Sequence, residues 1–189
     1  MNKLAGPRWY AVHVRQRCEK VASTALRNRG LREFLPLYSA RRQWSDRIAQ
    51  VEMPLFPGYV FCHFDLADRR IPVLSTPGVL GLVGSGRTPL PVDDGEIAAV
   101  QTIVDSGMAA EAWPYLETGA AVRLHHGALA GLEGVFVEAK KHHRLVVSVT
   151  LLRRAVAVEI DSAWVSPVER VPWRVLSARP AASCRNSVL

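Results

Sequence analysis

The chain has 189 residues, 49% of them hydrophobic, and a formal net charge of +7. That is enough apolar material for one medium domain or two small ones, which excludes a disordered tail. No apolar run approaches the roughly 20 residues that cross a bilayer and no apolar segment follows Lys3 as in a secretory leader, so a cytoplasmic protein with no membrane partner is expected.

The positive charge is unevenly spread. Residues 1–50 hold 11 Lys+Arg against 3 Asp+Glu, residues 51–106 hold 3 against 7, residues 107–168 hold 6 of each, and the last 21 residues balance at +3. A polyanion contact therefore belongs to the front of the chain. The three cysteines, Cys18, Cys62 and Cys184, are odd in number and never form C-x-x-C, which argues against a disulfide framework and a zinc site. His125-His126 and His142-His143 lack the spacing that would complete a metal site, because neighbours on a strand point to opposite faces. No metal and no cofactor are expected.

In chain order, residues 9–14 (WYAVHV) read as a strand, and Cys18, Val21, Ala22, Ala25 and Leu26 then recur at helical spacing up to a Gly30 cap. Lys20, Thr24, Arg27 and Asn28 fall on that helix's other side. From Glu33 the chain reads extended, passes a basic stretch with Arg41, Arg42 and Arg47, and returns as a strand over residues 59–64, which makes a long hairpin with a basic tip. Asp65 or Asp68 caps a short helix that tolerates Pro72 only in its first turn or with a kink. Residues 79–83 form another strand, and Asp93 with Glu96 has the spacing of a capping box before a helical stripe of Ile97, Val100, Ile103 and Val104 that ends at Gly107.

This order predicts an α+β class: an α/β sandwich of three helices on an antiparallel sheet over residues 8–107. Residues 108–117, broken by Pro114, read as an irregular linker in which Trp113 and Tyr115 can pack. Beyond it the period becomes two, in Val122/Leu124, Val135/Val137, Leu145/Val147/Val149/Leu151 and Val156/Val158/Ile160. Residues 118–168 thus suit a small all-β barrel of the Src-homology-3-like type, and residues 169–189 a flexible basic tail.

Residues 54–61 (PLFPGYVF), preceded by WYAVHV and its helix, resemble the amino-terminal domain of the NusG family of transcription factors. Residues 122–134 and 144–149, with VRL, Gly127, LAGLEG and RLVVSV, resemble that family's KOW element. The resemblance covers residues 8–168 in the family's domain order. The wording of PLFPGYVF, RRQWSDR and LLRRAVAVEID is similar to that of specialised, operon-targeted members, the RfaH-like antiterminators of polysaccharide clusters.

The resemblance implies a monomeric, non-enzymatic elongation factor that docks on the clamp helices of the largest subunit of RNA polymerase and suppresses pausing or termination. Pro57-Gly58 interrupts regular pairing, so that Phe56 and Tyr59 project from a turn, and an exposed aromatic patch marks a protein interface. The docking candidates are Tyr10, Phe56, Pro57, Tyr59 and Phe61, with Tyr10 and Phe61 also readable as core. Arg15, Arg17, Lys20, Arg27, Asn28, Arg29, Arg41 and Arg42 are candidates for phosphate contacts with non-template or upstream DNA. Asn28 also reads as a polar residue before the cap.

In the second domain the resemblance implies recruitment of a ribosomal small-subunit protein or a termination factor around Gly127, Gly131, Leu132 and Gly134. The glycines have a plain alternative purpose in tight turns. Val146, Val147, Val149, Val156 and Val158 bias this region toward a permanent barrel and away from helix.

The sequence leaves two other classes to compare with this one. GLVGSG at residues 81–86 lacks the following helix of a phosphate cradle, and a hairpin suffices for it. A simple RNA-binding module could use the loop Lys140-Lys141-His142-His143-Arg144, but the neutral second domain argues against that as the sole function. A housekeeping NusG is the nearer alternative.

Overall fold

A computed structural model describes residues 6–43, 48–114, 119–139 and 142–168. The expected hairpin tip at 44–47, residues 115–118 of the linker, Lys140-Lys141 and the tail from 169 onward lie outside the described residues.

β1 (Arg8–Val14) leads into α1 (Glu19–Asn28), β2 (Arg32–Phe34), and the paired strands β3 (Leu37–Gln43) and β4 (Ile48–Pro54). β5 (Tyr59–Phe64), α2 (Leu66–Leu74), β6 (Val79–Leu82), a small hairpin of β7 (Gly84–Ser85) and β8 (Thr88–Pro89), and α3 (Asp94–Asp105) follow. Beyond α3 the described residues hold six strands, with short 3-10 turns at Thr150–Leu152 and Ser162–Trp164. These strands are β9 (Ala110–Pro114), β10 (Ala120–Leu124), β11 (Glu133–Ala139), β12 (His142–Val149), β13 (Arg154–Ile160) and β14 (Val165–Pro167).

The first half is built on an antiparallel sheet in the order β2-β5-β1-β6. Its two central strands pair with Tyr10 opposite Cys62, Ala11 opposite Phe61 and His13 opposite Tyr59. Because side chains alternate across a strand, Tyr10, Val12, Val14, Val60, Cys62 and Phe64 face Ala22 and Leu26 of α1 and Val73 of α2. Trp9, Ala11 and Phe61 face the other way, toward Phe56 and toward Ile97, Val100 and Ile103 of α3.

The helix ends follow local chemistry. Gly30, with φ +71°, ends α1, and its N–H donates to the Arg27 carbonyl at 2.9 Å. Asp65 caps α2 by accepting from the Ala67 N–H. Pro72 lies within that helix and not in its first turn; the helix stops two residues later at Leu74, so few hydrogen bonds are lost to the missing donor. Asp93 accepts from the N–H groups of Gly95 and Glu96, which fulfils one half of the expected capping box. GLVGSG forms part of the β7-β8 hairpin and its approach.

The second half is a six-stranded antiparallel sheet, β14-β10-β11-β12-β13-β9. Alternation of period two sorts its side chains: Leu145, Val147, Val149, Val156, Val158 and Ile160 join the core that contains α3. Val146, Ala155 and Ala157 pack on the opposite face with Trp113, Val135 and Val137. The valine-rich runs are strand, as their β-branched side chains favour.

The expectation of an irregular linker is corrected: residues 110–114 form β9, which pairs with β13 through five residues, Ala155 opposite Trp113 among them. The Arg144 guanidinium lies 4.6 Å from the Trp113 ring centroid and pairs with Glu111, so one side chain fastens two residues of β9. Pro114 is tolerated because it ends an edge strand.

Burial, and secondarily the neighbouring Glu33 carboxylate, pushes the Cys62 thiol from 9.0 up to about 12. A raised folded-state value favours folding below the unfolded thiol's range, and that contribution is lost as pH rises toward the folded value. At pH 8 in native conditions, half-buried Cys18 is expected to be alkylated while Cys62 stays unmodified, and denaturant is expected to expose Cys62. Peptide mass spectrometry after timed alkylation checks this, and native labelling of both at one rate would contradict it.

Candidate functional site

The segment between β4 and β5 is a tight turn. Tyr59 donates its N–H to the Phe56 carbonyl at 3.1 Å, and Gly58 has φ +85°. Pro followed by a positive-φ Gly is the pattern of a type II turn, and only Gly takes that third position without strain. The Gly58 carbonyl accepts from the Val14 N–H at 2.8 Å, and the Gly58 N–H donates to Glu19 Oε1 at 2.9 Å.

This turn exposes less aromatic surface than its sequence suggests. Pro57 is exposed and Tyr59 half-buried, but Phe56 and Phe61 are fully buried and Tyr10 is 2% exposed. The projection expected of Phe56 is thereby corrected. Phe56 opens the turn with its ring edge-on to Phe61 at 5.5 Å, and Phe61 also stacks on Phe34 at 6.2 Å. Tyr10 and Phe61 are core because they lie on the two central strands of a sheet covered on both faces. Burial, reinforced by nearby Asp65 against an opposing effect of Arg8, raises the Tyr10 phenol above its ordinary value. Tyr59 escapes burial because it is the first residue of β5, at the end of the ladder, where its ring stacks on His13 at 5.4 Å.

The second half covers this turn. The Arg154 guanidinium lies 5.2 Å from the Tyr59 ring centroid, and its Nη1 donates to the Pro57 carbonyl at 3.4 Å, a long hydrogen bond. Nearby, α3 packs between β1 and β12. The Glu96 carboxylate, expected to reach back within its own capping box, instead accepts from the Thr150 N–H at 3.1 Å and its hydroxyl at 2.5 Å. Its side chain is diverted because the second half presents two donors at the free end of α3.

The predicted cations divide into three groups. Arg29 is exposed, yet its Nη1 donates to the Pro72 carbonyl at 2.5 Å and to the hydroxyls of Ser75 and Thr76 at 2.9 Å each, closing the carboxyl end of α2. Arg27 pairs with the nearly buried Glu33 carboxylate, which also accepts from Ser23 at 2.6 Å, and Lys20 pairs with Glu52 of β4 at 2.8 Å. Arg15 and Arg17 are exposed on the β1–α1 connection, and Asn28 is exposed at the end of α1. The side chains of Arg41 and Arg42 lie outside the described residues, although Arg41 pairs through its backbone with Gln50 and Arg42 with Ala49 in the β3-β4 ladder.

The glycine loop of the second half is a packing device. Gly127 and Gly131 have φ +79° and +88°. A side chain on Gly127 would press the Trp164 ring at 3.0 Å, and one on Gly134 would meet the Val146 carbonyl at 2.7 Å. Leu132, expected as an exposed apolar contact, is 9% exposed and joins Leu129 in the core. That expectation is corrected: the loop folds back, with Gly131 N–H donating to the Leu124 carbonyl at 2.7 Å, and carries both leucines inward.

Residues 7–101 match the family model described as transcription termination factor nusG. The termination/antitermination protein NusG of Thermus thermophilus is 31% identical over 173 residues, which cover 81% of this chain and 94% of that protein. The chain belongs to the NusG family. The NusG proteins of Pseudomonas aeruginosa and Escherichia coli K12 are each 28% identical over 174 residues, covering 85% of this chain and 98% and 96% of theirs. In fold, this NusG-family chain is similar to a solved structure described as domain interaction in Thermotoga maritima NusG, with a TM-score of 0.54, 22% identity, and coverage of 86% of this chain and 98% of that one.

Glu19 and Thr150 carry no motif that would single them out in the sequence of this NusG-family chain, and LLRRAVAVEID contains Arg154 without indicating its partner, since each matters through a residue distant along the chain. Arg29→Ala is expected to destabilise the protein by about 1–2 kcal/mol, the scale of hydrogen bonds from a charged group, whereas exposed Asn28→Ala changes stability by less than about 0.5 kcal/mol. Chemical denaturation of the two variants checks the contrast, and equal midpoints would contradict it.

Proposed function

We propose that this NusG-family chain is an operon-specific antitermination factor that binds RNA polymerase through the Pro57–Tyr59 turn and suppresses pausing without chemistry of its own. The observation that carries the reading is the turn itself. In the segment with the strongest family likeness, it presents exposed Pro57 and half-buried Tyr59 on a backbone held rigid by two hydrogen bonds. Rigid aromatic anchors lose little entropy on docking, which is what an interface centre requires. The partner is the clamp-helix region of the largest polymerase subunit, and the setting is cytoplasmic.

Arg15 and Arg17, a few residues along from Val14 and Glu19, then lie beside the docked polymerase and supply a salt-dependent contact with upstream or non-template DNA. Residues 8–107 form the polymerase-binding domain. Residues 118–168 form a KOW-type barrel that recruits a ribosomal small-subunit protein or a termination factor. Favouring the moving over the paused enzyme requires tighter binding to the moving state, a population shift that positioning alone supplies.

The operon-specific reading rests on the likeness of PLFPGYVF, RRQWSDR and LLRRAVAVEID to the specialised members, together with the covering of the turn by Arg154. A surface occupied within the molecule lowers apparent affinity in proportion to the open fraction, so that only complexes offering a second contact compete well.

Tyr59→Ala is expected to weaken polymerase binding about 30-fold, the loss of one interface hot spot, and to remove pause suppression in a purified transcription assay. Undiminished readthrough would sink the reading. Arg154→Ala is expected to change affinity in the opposite direction, by roughly threefold to tenfold, because it removes a contact of order 1 kcal/mol that closes the molecule. Weaker binding by that variant, measured by titration against core polymerase, would mean that Arg154 belongs to the interface and not to its cover.

A further inference from the structure

The carboxylate of Glu19 is the one feature around the turn that neither docking nor nucleic-acid contact absorbs. Glu19 is the first residue of α1, only 6% exposed, and its Oε1 accepts from the Gly58 N–H across 39 residues of sequence. A buried carboxylate at a helix amino terminus is favoured by the helix dipole. Its side chain nevertheless spends its hydrogen bond on the turn and not on the helix, since α1 has no side-chain cap at Cys18.

What that bond does follows from turn geometry. Pro-Gly at the two central positions is compatible with type I and type II turns, which differ by a flip of the peptide between them. In the observed turn the Gly58 N–H points inward to Glu19, so the Pro57 carbonyl on the same planar peptide points away, to where Arg154 meets it. The flip would bring the Pro57 carbonyl toward the Glu19 carboxylate and leave the buried Gly58 N–H without an acceptor, both unfavourable. Val14, five residues before Glu19, holds the Gly58 carbonyl at 2.8 Å, so both backbone groups of Gly58 are gripped by the β1–α1 connection.

We propose that Glu19 is a positioning residue that locks the Pro57–Gly58 peptide in one orientation and thereby sets the presentation of Pro57 and Tyr59 to the polymerase. The assignment rests on the docking reading above. It adds that the β1–α1 connection, which carries Arg15 and Arg17, and the docking turn are one mechanical unit.

The test uses the full chain, core RNA polymerase and four variants: Glu19→Ala, Glu19→Gln, Tyr59→Ala and the double variant Glu19→Ala/Tyr59→Ala. Glu19→Ala is expected to shift the Gly58 amide resonance and weaken binding about tenfold, the loss of one buried hydrogen bond to a charged group. Glu19→Gln, which keeps an oxygen acceptor at the same reach, is expected to restore both to within about twofold. A residue acting through the turn adds no further loss in the Tyr59→Ala background, whereas a merely structural one adds its full effect there. An unmoved Gly58 amide, or full binding by Glu19→Ala alongside weakened Tyr59→Ala, overturns the proposal and leaves the docking reading standing. Full binding by Tyr59→Ala overturns the docking reading instead. Should Glu19→Ala not fold, Glu19→Asp withdraws the acceptor by one methylene and is read by the same outcomes.

Discussion

The antiparallel pairing of β1 with β5 is the constraint from which the rest of the first half follows. Its register sets Tyr10 against Cys62 and Ala11 against Phe61, and strand alternation then sends each pair to opposite, fully covered faces. The ladder ends at His13 and Tyr59. Everything beyond that last pair is turn, and Tyr59 is the one aromatic of the PLFPGYVF segment left partly in solvent. A slip of one residue would turn Tyr59 and Phe61 together to the opposite face and bring Val60 and Cys62 to theirs, so the partial exposure of Tyr59 depends on this register.

The same ladder end is where the two halves meet. α3 lies between β1 and β12, so its apolar stripe of Ile97, Val100 and Ile103 serves two sheets at once. Polar fastenings surround that packing: Glu96 takes both donors of Thr150, and Arg154 lies over Tyr59. These contacts are partly exposed and individually modest. Apolar packing therefore supplies most of the cohesion, and the polar contacts decide orientation. The arrangement is that of a chain of the NusG family of transcription termination/antitermination factors.

Charge has a double use in the front segment. The high Lys+Arg count of residues 1–50 suggests one continuous polyanion surface, yet Lys20, Arg27 and Arg29 have intramolecular partners. Arg29 spans from the end of α1 to the end of α2, and Arg27 ties α1 to β2 through Glu33. Among the described residues of this segment, Arg15 and Arg17 are exposed on the β1–α1 connection, whose ends Val14 and Glu19 bond to the turn. These exposed cations therefore lie closer to the turn than the spread of charge along the sequence implies.

Most of the secondary structure could be read directly, because it rests on interactions within a few residues. The residue 59–64 strand, the Gly30 stop, the Asp65 and Asp93 caps and the period-two runs of the second half all appear where local chemistry places them. The family likeness of residues 54–61 also located the turn that matters. What the chain alone did not disclose is which side chain faces which neighbour. Glu19 finds Gly58 across 39 residues, Arg29 finds Pro72 across 43, Glu96 finds Thr150 across 54 and Arg154 finds Pro57 across 97. Phe56, read as projecting from the Pro57-Gly58 turn, and Leu132, given a contact role by the family resemblance, are core, while residues 110–114 look like a linker and are an edge strand. Sequence determined the elements, since hydrogen bonding and capping act locally. Tertiary structure decided the site, since exposure and pairing depend on register and on the packing of one half against the other.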